Sequence, residues 1–187
     1  MRNSYFILTL IIALIIGCQS NDVHVFMAYF NDPTNGLIDK TETNLWEYYI
    51  QYRSPEYMAL IELGEEIQTE SLVEATKSYE DFDYYLFKMR SKKSAKAKSL
   101  FSNEESQKYS MGWQKGIVLV QGIDTLEPSM IHFENLLGVT GEVRFLTAFE
   151  KMEDKNRTFL INSFNDDDVV QLELLASDLK KIPNINL

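Results

Sequence analysis

The chain has 187 residues, of which 28 are acidic and 18 are basic, and its formal net charge at pH 7 is −10. This acidic balance excludes a general nucleic-acid binder, because such proteins neutralise phosphates with a basic face. The length suffices for one domain with a sizeable core, and the single cysteine, Cys18, excludes disulfide bridges within the chain.

The first predicted element is a short apolar run from Tyr5 to Gly17, which follows Arg2 and precedes Cys18. A transmembrane helix needs roughly 20 apolar residues, whereas the core of a signal peptide needs about 7–15. The ending LIIGC at residues 14–18 is typical of a bacterial lipobox, where the cysteine thiol is joined to diacylglycerol. We therefore expect residues 1–17 to be a lipoprotein signal peptide that is removed, and Cys18 to be lipidated.

The predicted lipid attachment also indicates where the protein resides. Two or three acyl chains, such as palmitate, hold a protein stably on a membrane. Gln19 follows the cysteine in place of the aspartate that retains lipoproteins at the inner membrane, which favours the outer membrane. Both the periplasmic face and the surface face of that membrane remain open. We expect residues 18–22 to form the lipidated cysteine and a short polar tether, and residues 23–187 to form a single β-rich globular domain.

Beyond the tether, apolar side chains recur at every second residue, which is the period of a strand with one buried face. Segments of this kind, or of strand-like composition, span residues 46–52, 82–86, 117–120, 131–133, 143–149, 159–161 and 170–174. The segment from Val23 to Phe30 also looks like a strand. Turn-prone residues at 122–124 and 165–168 separate the later strands, which favours antiparallel hairpins.

Three short helices are predicted between these strands. Ser54 is suited to cap a helix that has Pro55 at its first position, a second helix runs over about 70–79, and a third over about 102–112. Strands with a few inserted helices indicate an α+β domain, mainly antiparallel β and β-sandwich-like, with two or three short helices on one side.

Four segments of the chain resemble recurring landmarks of a group of uncharacterised Bacteroidetes lipoproteins. They are NDPTNGL at 31–37, QYRSPEYMAL at 51–60, IHFE at 131–134 and DLKKIP at 178–183. The likeness spans most of the mature chain. The resemblance implies a lipid-anchored, β-rich domain and implies no activity.

Residues 31–42 resemble a calcium-binding loop, with Asn31, Asn35, Asp39 and Glu42 at the spacing of four ligand positions. The third position of such a loop also supplies an oxygen, but here it is Pro33, which has none in its side chain. The alternative is a plain double turn built on Asp-Pro and Asn-Gly.

Six basic residues crowd into eleven positions of this acidic chain: Lys88, Arg90, Lys92, Lys93, Lys96 and Lys98. Local potential depends on clustering, so this basic patch is a candidate site for lipopolysaccharide phosphates, a polyanionic glycan or an acidic protein. The alternative is a solvated loop whose lysines discourage pairing at a sheet edge.

Three weaker candidates remain. The acidic stretch from Asn165 to Asp168 is either a cation site or a hairpin turn. His132 and Glu134 lie on the same face of a strand. They are either a proton relay or ordinary surface groups. Thr125, in Asp-Thr-Leu, resembles an acceptor for O-linked glycosylation in Bacteroidetes envelopes.

No phosphate loop, nucleophile elbow or zinc-protease motif occurs in the sequence, and we predict neither enzymatic activity nor a cofactor. The leading hypothesis is an envelope lipoprotein, held on the membrane through Cys18, that binds or scaffolds an envelope protein or glycan. One alternative is an immunity or inhibitor lipoprotein that blocks a toxin or hydrolase with its acidic residues. A lesser alternative is a hydrolase that uses two carboxylates.

Overall fold

Two antiparallel sheets form the body of the protein. The computed structural model describes residues 19–64, 68–92, 116–134, 142–151, 155–162 and 169–185. Sheet A has the strand order β1-β2-β3-β7-β6, and sheet B has the order β5-β4-β8-β9. The bounds of the strands are Ile38–Glu42 (β1), Trp46–Arg53 (β2), Phe82–Ser91 (β3), Ile117–Gln121 (β4), Asp124–Leu126 (β5), Met130–Glu134 (β6), Glu142–Glu150 (β7), Arg157–Asn162 (β8) and Val169–Leu174 (β9).

The core lies between the two sheets, where alternate residues of each strand meet. Phe159 of β8 packs against Tyr85 and Phe87 of β3, with ring centroids 4.7 and 5.5 Å apart. These aromatic side chains are fully buried. Tyr85 and Phe87 are alternate residues of β3, so both lie on the face that packs against sheet B. The predicted α+β fold, mainly antiparallel and β-sandwich-like, is therefore confirmed.

Seven of the strands coincide with predicted segments, and the turn at residues 122–124 joins β4 to β5 as a hairpin. Gly122 has a φ of 67°, which glycine adopts without steric cost. Strands β1 and β5 were not predicted. The predicted turn at 165–168 lies outside the described residues.

The structure replaces the strand predicted from Val23 to Phe30 with a helix, α1, which spans Gln19–Asn31. Phe26 and Phe30 are buried in the core, and Val23 and Met27 pack against it. These four residues follow the spacing i, i+3, i+4, i+7, which places them on one side of a helix and on both sides of a strand. Residues 19–22, expected as a tether, are helical.

Two helices follow β2, of which the first packs on the outer face of sheet A and the second packs against the first. Helix α2 spans Pro55–Leu63, and the Ser54 hydroxyl accepts a hydrogen bond from the Tyr57 amide, as predicted for its cap. Helix α3 spans Thr69–Lys77. Met58 of α2 packs against Tyr84 and Ala148 of the sheet, so the helices cover the end of the sheet where β2 ends and β3 begins.

One more helix follows β9. A short helix, α4, spans Ala176–Leu179 and was not predicted. The Asp178 side chain lies so close to Gly36, near the end of α1, that a Cβ on this glycine would clash with it. The predicted helix at 102–112 lies outside the described residues.

Candidate functional site

The end of sheet A that α2 and α3 leave open forms a cleft of about 510 Å³ on the outer face of the sheet. Strands β1, β2, β3 and β7 contribute its walls. The lining residues are Lys40, Thr41, Glu42, Glu47, Tyr48, Tyr49, Lys88, Arg90 and Glu142. Charged side chains dominate this lining, which distinguishes the cleft from the apolar interior between the sheets.

One row of side chains crosses the whole of sheet A in register. Lys40 is opposite Tyr49, Tyr49 is opposite Lys88, Lys88 is opposite Arg144, and Arg144 is opposite Glu134. Directly opposed residues of neighbouring strands point to the same face, and the strands lie roughly 4.8 Å apart. Five strands thus place three cations, a phenol and a carboxylate in one line, which we call the cationic row.

Tyr49 stands at the centre of the open cleft between two lysines. The Nζ atoms of Lys88 and Lys40 lie 4.4 and 5.6 Å from the centroid of its ring. Both distances fall within the range of cation–π attraction, which holds the ammonium groups near the ring. Burial raises the pKa of Tyr49 to about 12, so its hydroxyl stays protonated at neutral pH and is able to donate a hydrogen bond.

Lys88 is a half-buried cation in a positive environment. Burial and then the positive charge of Arg144 lower the pKa of Lys88 below its usual range, while Glu142 opposes this shift. In the described residues, Lys88, Lys40 and Arg53 have no carboxylate partner at ion-pair distance. An anion that entered the cleft would therefore meet positive charge that the protein itself has not neutralised.

Arg53 lies further along the same face of β2 and adds to this charge. Its guanidinium carbon is 5.6 Å from the centroid of the Tyr57 ring. Burial lowers the pKa of Arg53, and within the described ranges its Nε atom is buried without a hydrogen-bond acceptor. Arg53 therefore supplies positive potential at the boundary between the cleft and helix α2.

Three glutamates of the cleft are engaged in ion pairs. Glu47 Oε2 accepts a hydrogen bond from Arg90 Nε at 2.6 Å. Glu142 Oε2 is 3.0 Å from Arg144 Nη2, and Glu42 Oε2 is 2.9 Å from Lys92 Nζ. A hydrolase that uses two carboxylates needs both to act on substrate. The pairing of these acids gives that alternative no support at this site.

The structure brings part of the predicted basic patch to this cleft. Lys88 and Arg90 line it, and Lys92 contacts Glu42 at its margin. The other three residues of the patch, Lys93, Lys96 and Lys98, lie outside the described residues. Sequence reasoning missed Lys40, Arg53 and Arg144, because these residues come from three other strands and meet Lys88 only through the register of the sheet.

The residues of the predicted calcium loop are engaged with separate parts of the fold. Their bonds are Asn31 Nδ2 to Met27 O, Asn35 Nδ2 to Tyr29 O, Glu173 N to Asp39 Oδ2, and Lys92 Nζ to Glu42 Oε2. Across the described ranges, no group of three His, Cys, Asp or Glu side chains is arranged to hold a metal ion.

The structure also gives positions for the minor candidates. His132 and Glu134 share the outer face of sheet A, where His132 is exposed and Glu134 belongs to the cationic row. Thr125 is exposed on β5. Cys18 and residues 165–168 lie outside the described residues.

No protein-family model and no curated protein matches the chain. A solved structure of a candidate lipoprotein from Staphylococcus aureus is similar, with 12% identity, a TM-score of 0.29, and coverage of 75% of this chain and 94% of that chain. Similarity at this level carries no argument about the present protein. None of the described helices is long and apolar enough to span a membrane.

Proposed function

We propose that this protein is a binding module of the bacterial envelope, held on the membrane through lipid on Cys18, and that its open cleft receives an anionic partner. The apolar run and the LIIGC ending at residues 14–18 support the anchor. We further propose the outer membrane as its location, a partner that is an envelope protein or glycan, and kinship with the Bacteroidetes lipoproteins that it resembles.

One observation carries the binding proposal: a protein with a net charge of −10 gathers un-neutralised cations in a single cleft. Lys40 and Lys88 face this cleft without a carboxylate partner in the described residues. Concentrated charge of one sign raises the local concentration of ligands of the other sign. Maintaining Lys88 in a half-buried position beside Arg144 destabilises its charged form, and an anionic ligand offsets that cost.

A capture experiment tests the binding proposal. Envelope partners are crosslinked to the full chain in its own membranes and identified by mass spectrometry. The variant Lys40→Gln/Lys88→Gln should capture at least about tenfold less partner, because each substitution removes a charge-assisted contact worth about 1.5–3 kcal/mol. The variant Lys77→Gln/Lys151→Gln removes the same charge from exposed positions elsewhere and should capture as much partner as the unmodified chain. Equal capture by both variants contradicts the proposal.

A fractionation experiment tests the anchor separately. Cys18→Ala removes the thiol that lipid would modify, and we expect the protein to carry no acyl chain, to keep the unprocessed residues 1–17 and to leave the outer-membrane fraction. A Cys18→Ala protein that is still processed and remains on the membrane contradicts lipidation at this residue.

A further inference from the structure

The charges around the cleft set a limit on the charge of its ligand. In the part of the chain that the structure describes, six cations surround the cationic row and its margin: Lys40, Arg53, Lys88, Arg90, Lys92 and Arg144. Four carboxylates lie among them: Glu42, Glu47, Glu134 and Glu142. The surplus is two positive charges (6 − 4). A ligand carrying about two negative charges at one point would balance this surplus.

Three hydrogen-bond donors of the cleft lie around a single ring. The ammonium groups of Lys40 and Lys88 both lie near the ring of Tyr49, at 5.6 and 4.4 Å from its centroid. The protonated Tyr49 hydroxyl is a third donor, and no acceptor contacts it within the part of the chain that the structure describes. Three donors of this kind match a group with several acceptor oxygens on one centre better than a flat carboxylate.

We propose that the cleft binds one phosphate monoester group, carried by a sugar or by a lipid headgroup, with Lys40 and Lys88 as its charged contacts. A phosphate monoester carries about −1.5 to −2 charges at pH 7 and three strong acceptor oxygens, which match the surplus charge and the three donors. This inference rests on the proposed function, because it names the ligand class of the same cleft.

The glutamates of the cleft give the site its selectivity. Glu47, Glu142 and Glu42 are each held by a cation at the wall or margin, and Glu134 ends the cationic row. A polyanion such as a sulfated glycan would place its neighbouring charges against these carboxylates, and like charges brought together oppose binding. A single phosphate on a neutral carrier avoids this repulsion, and the carboxylates remain able to accept hydrogen bonds from hydroxyl groups of the carrier.

Calorimetry on the full chain in detergent tests the ligand class with four soluble probes. We expect glucose 1-phosphate to bind at least about tenfold more tightly than glucuronate or heparin, and glucose not to bind. Lys88→Met should weaken the binding of glucose 1-phosphate by about tenfold or more, the loss of one charge-assisted contact. Lys88→Arg should retain binding within a few-fold, and Lys77→Met, on exposed α3, should leave it unchanged. Circular dichroism melting checks that each variant is folded.

Vesicles distinguish the two carriers of the phosphate. Binding to vesicles that contain phosphatidic acid, but not to phosphatidylcholine vesicles, together with weak binding of glucose 1-phosphate, supports the proposal with a lipid headgroup as the carrier. The reverse result supports it with a sugar as the carrier.

Two results overturn the proposal, and they differ in what else they overturn. Heparin or glucuronate binding at least as tightly as both phosphate probes overturns the phosphate class and leaves an anionic partner in place. Failure of every anionic probe to bind overturns the phosphate class, and binding that Lys88→Met does not change overturns the proposed function of the cleft as well.

Discussion

Arg157 of β8 and Asp83 of β3 form a buried ion pair that joins the two sheets. Arg157 Nη2 lies 2.9 Å from Asp83 Oδ2, and the side chains are only 5% and 3% exposed. Arg157 Nη1 donates a hydrogen bond of 2.7 Å to the hydroxyl of Tyr85, and the Tyr52 hydroxyl donates one of 3.2 Å to Asp83 Oδ1. The two tyrosines thus extend this ion pair into a buried polar network between the sheets.

Replacing only one residue of this ion pair should strongly destabilise the fold. Asp83→Leu or Arg157→Met leaves the other charge buried, and we expect either to lower the free energy of unfolding by about 3–5 kcal/mol. The double variant Asp83→Leu/Arg157→Met removes both charges and should recover most of that loss. Urea denaturation measures all three. As a control, Arg90→Met breaks the exposed pair with Glu47 and should cost no more than about 1 kcal/mol. A double variant that is less stable than both single variants contradicts this account.

The buried tyrosines should make the fold sensitive to high pH. Burial raises the pKa of Tyr85 and of Tyr52 well above the value of about 10 that tyrosine has in an unfolded chain. Above pH 10 the unfolded state releases these protons and the folded state retains them, so stability that is fully present below pH 10 is lost as the pH rises. Each such group contributes a slope of about 1.4 kcal/mol per pH unit.

Urea denaturation from pH 8 to 11 checks this pH dependence. We expect a constant free energy of unfolding up to about pH 9.5 and a progressive fall above it, less steep in Tyr52→Phe than in the unmodified chain. A profile that stays level to pH 11 would show that these phenols ionise equally in both states.

Helix α1 should depend on one aromatic anchor. Phe30 is fully buried, with its ring centroid 5.0 Å from that of Phe26 and 4.7 Å from that of Tyr57. Phe30→Ala should lower the free energy of unfolding by about 3–5 kcal/mol, because it leaves a cavity where α1 meets the core. Val25 on the same helix is 60% exposed, and Val25→Ala should change the free energy of unfolding by less than about 0.5 kcal/mol. Equal effects of the two substitutions in thermal denaturation would contradict the docking of α1.

The Asp39 carboxylate should protect the backbone amide of Glu173 from hydrogen exchange, at the edge where the two sheets meet. Its Oδ2 atom accepts a hydrogen bond of 2.7 Å from the backbone amide of Glu173 in β9, an edge strand of sheet B. Asp39→Ala should cost about 1 kcal/mol and accelerate hydrogen exchange at the Glu173 amide. The Asp124 carboxylate on β5 offers a control, since Asp124→Ala should leave exchange at Glu173 unchanged. Unaltered exchange in Asp39→Ala would show that this contact does not protect the edge.

Local patterns predicted most of the fold. A period of two identified β2, with Tyr48 and Ile50 buried and Glu47 less so, and the cap at Ser54 identified α2. The composition of α1 predicts a strand because Val, Phe and Tyr favour strands, whereas the spacing of Phe26 and Phe30 is helical. Composition was therefore a poorer guide than periodicity at this segment.

The candidate site was predicted only where it is local in sequence. Lys88 and Arg90 are predicted from the sequence because they belong to a run of basic residues. Lys40 and Arg144 are isolated charges in their strands, and they join Lys88 through hydrogen-bonded register between strands far apart in the chain. Such register depends on the packing of the whole sheet, which no short segment specifies.

We propose that the open end of sheet A binds an anionic group. The most direct measurement is a titration of the full chain with glucose 1-phosphate, followed by the backbone amide signals in NMR spectra. We predict that the shifted signals belong to residues 40–42, 47–49, 88–90 and 142–144, and that Lys88→Met needs at least about ten times more ligand to reach the same shifts. Shifts that fall instead on α1 or on sheet B, or spectra that do not change at saturating ligand, would contradict the claim.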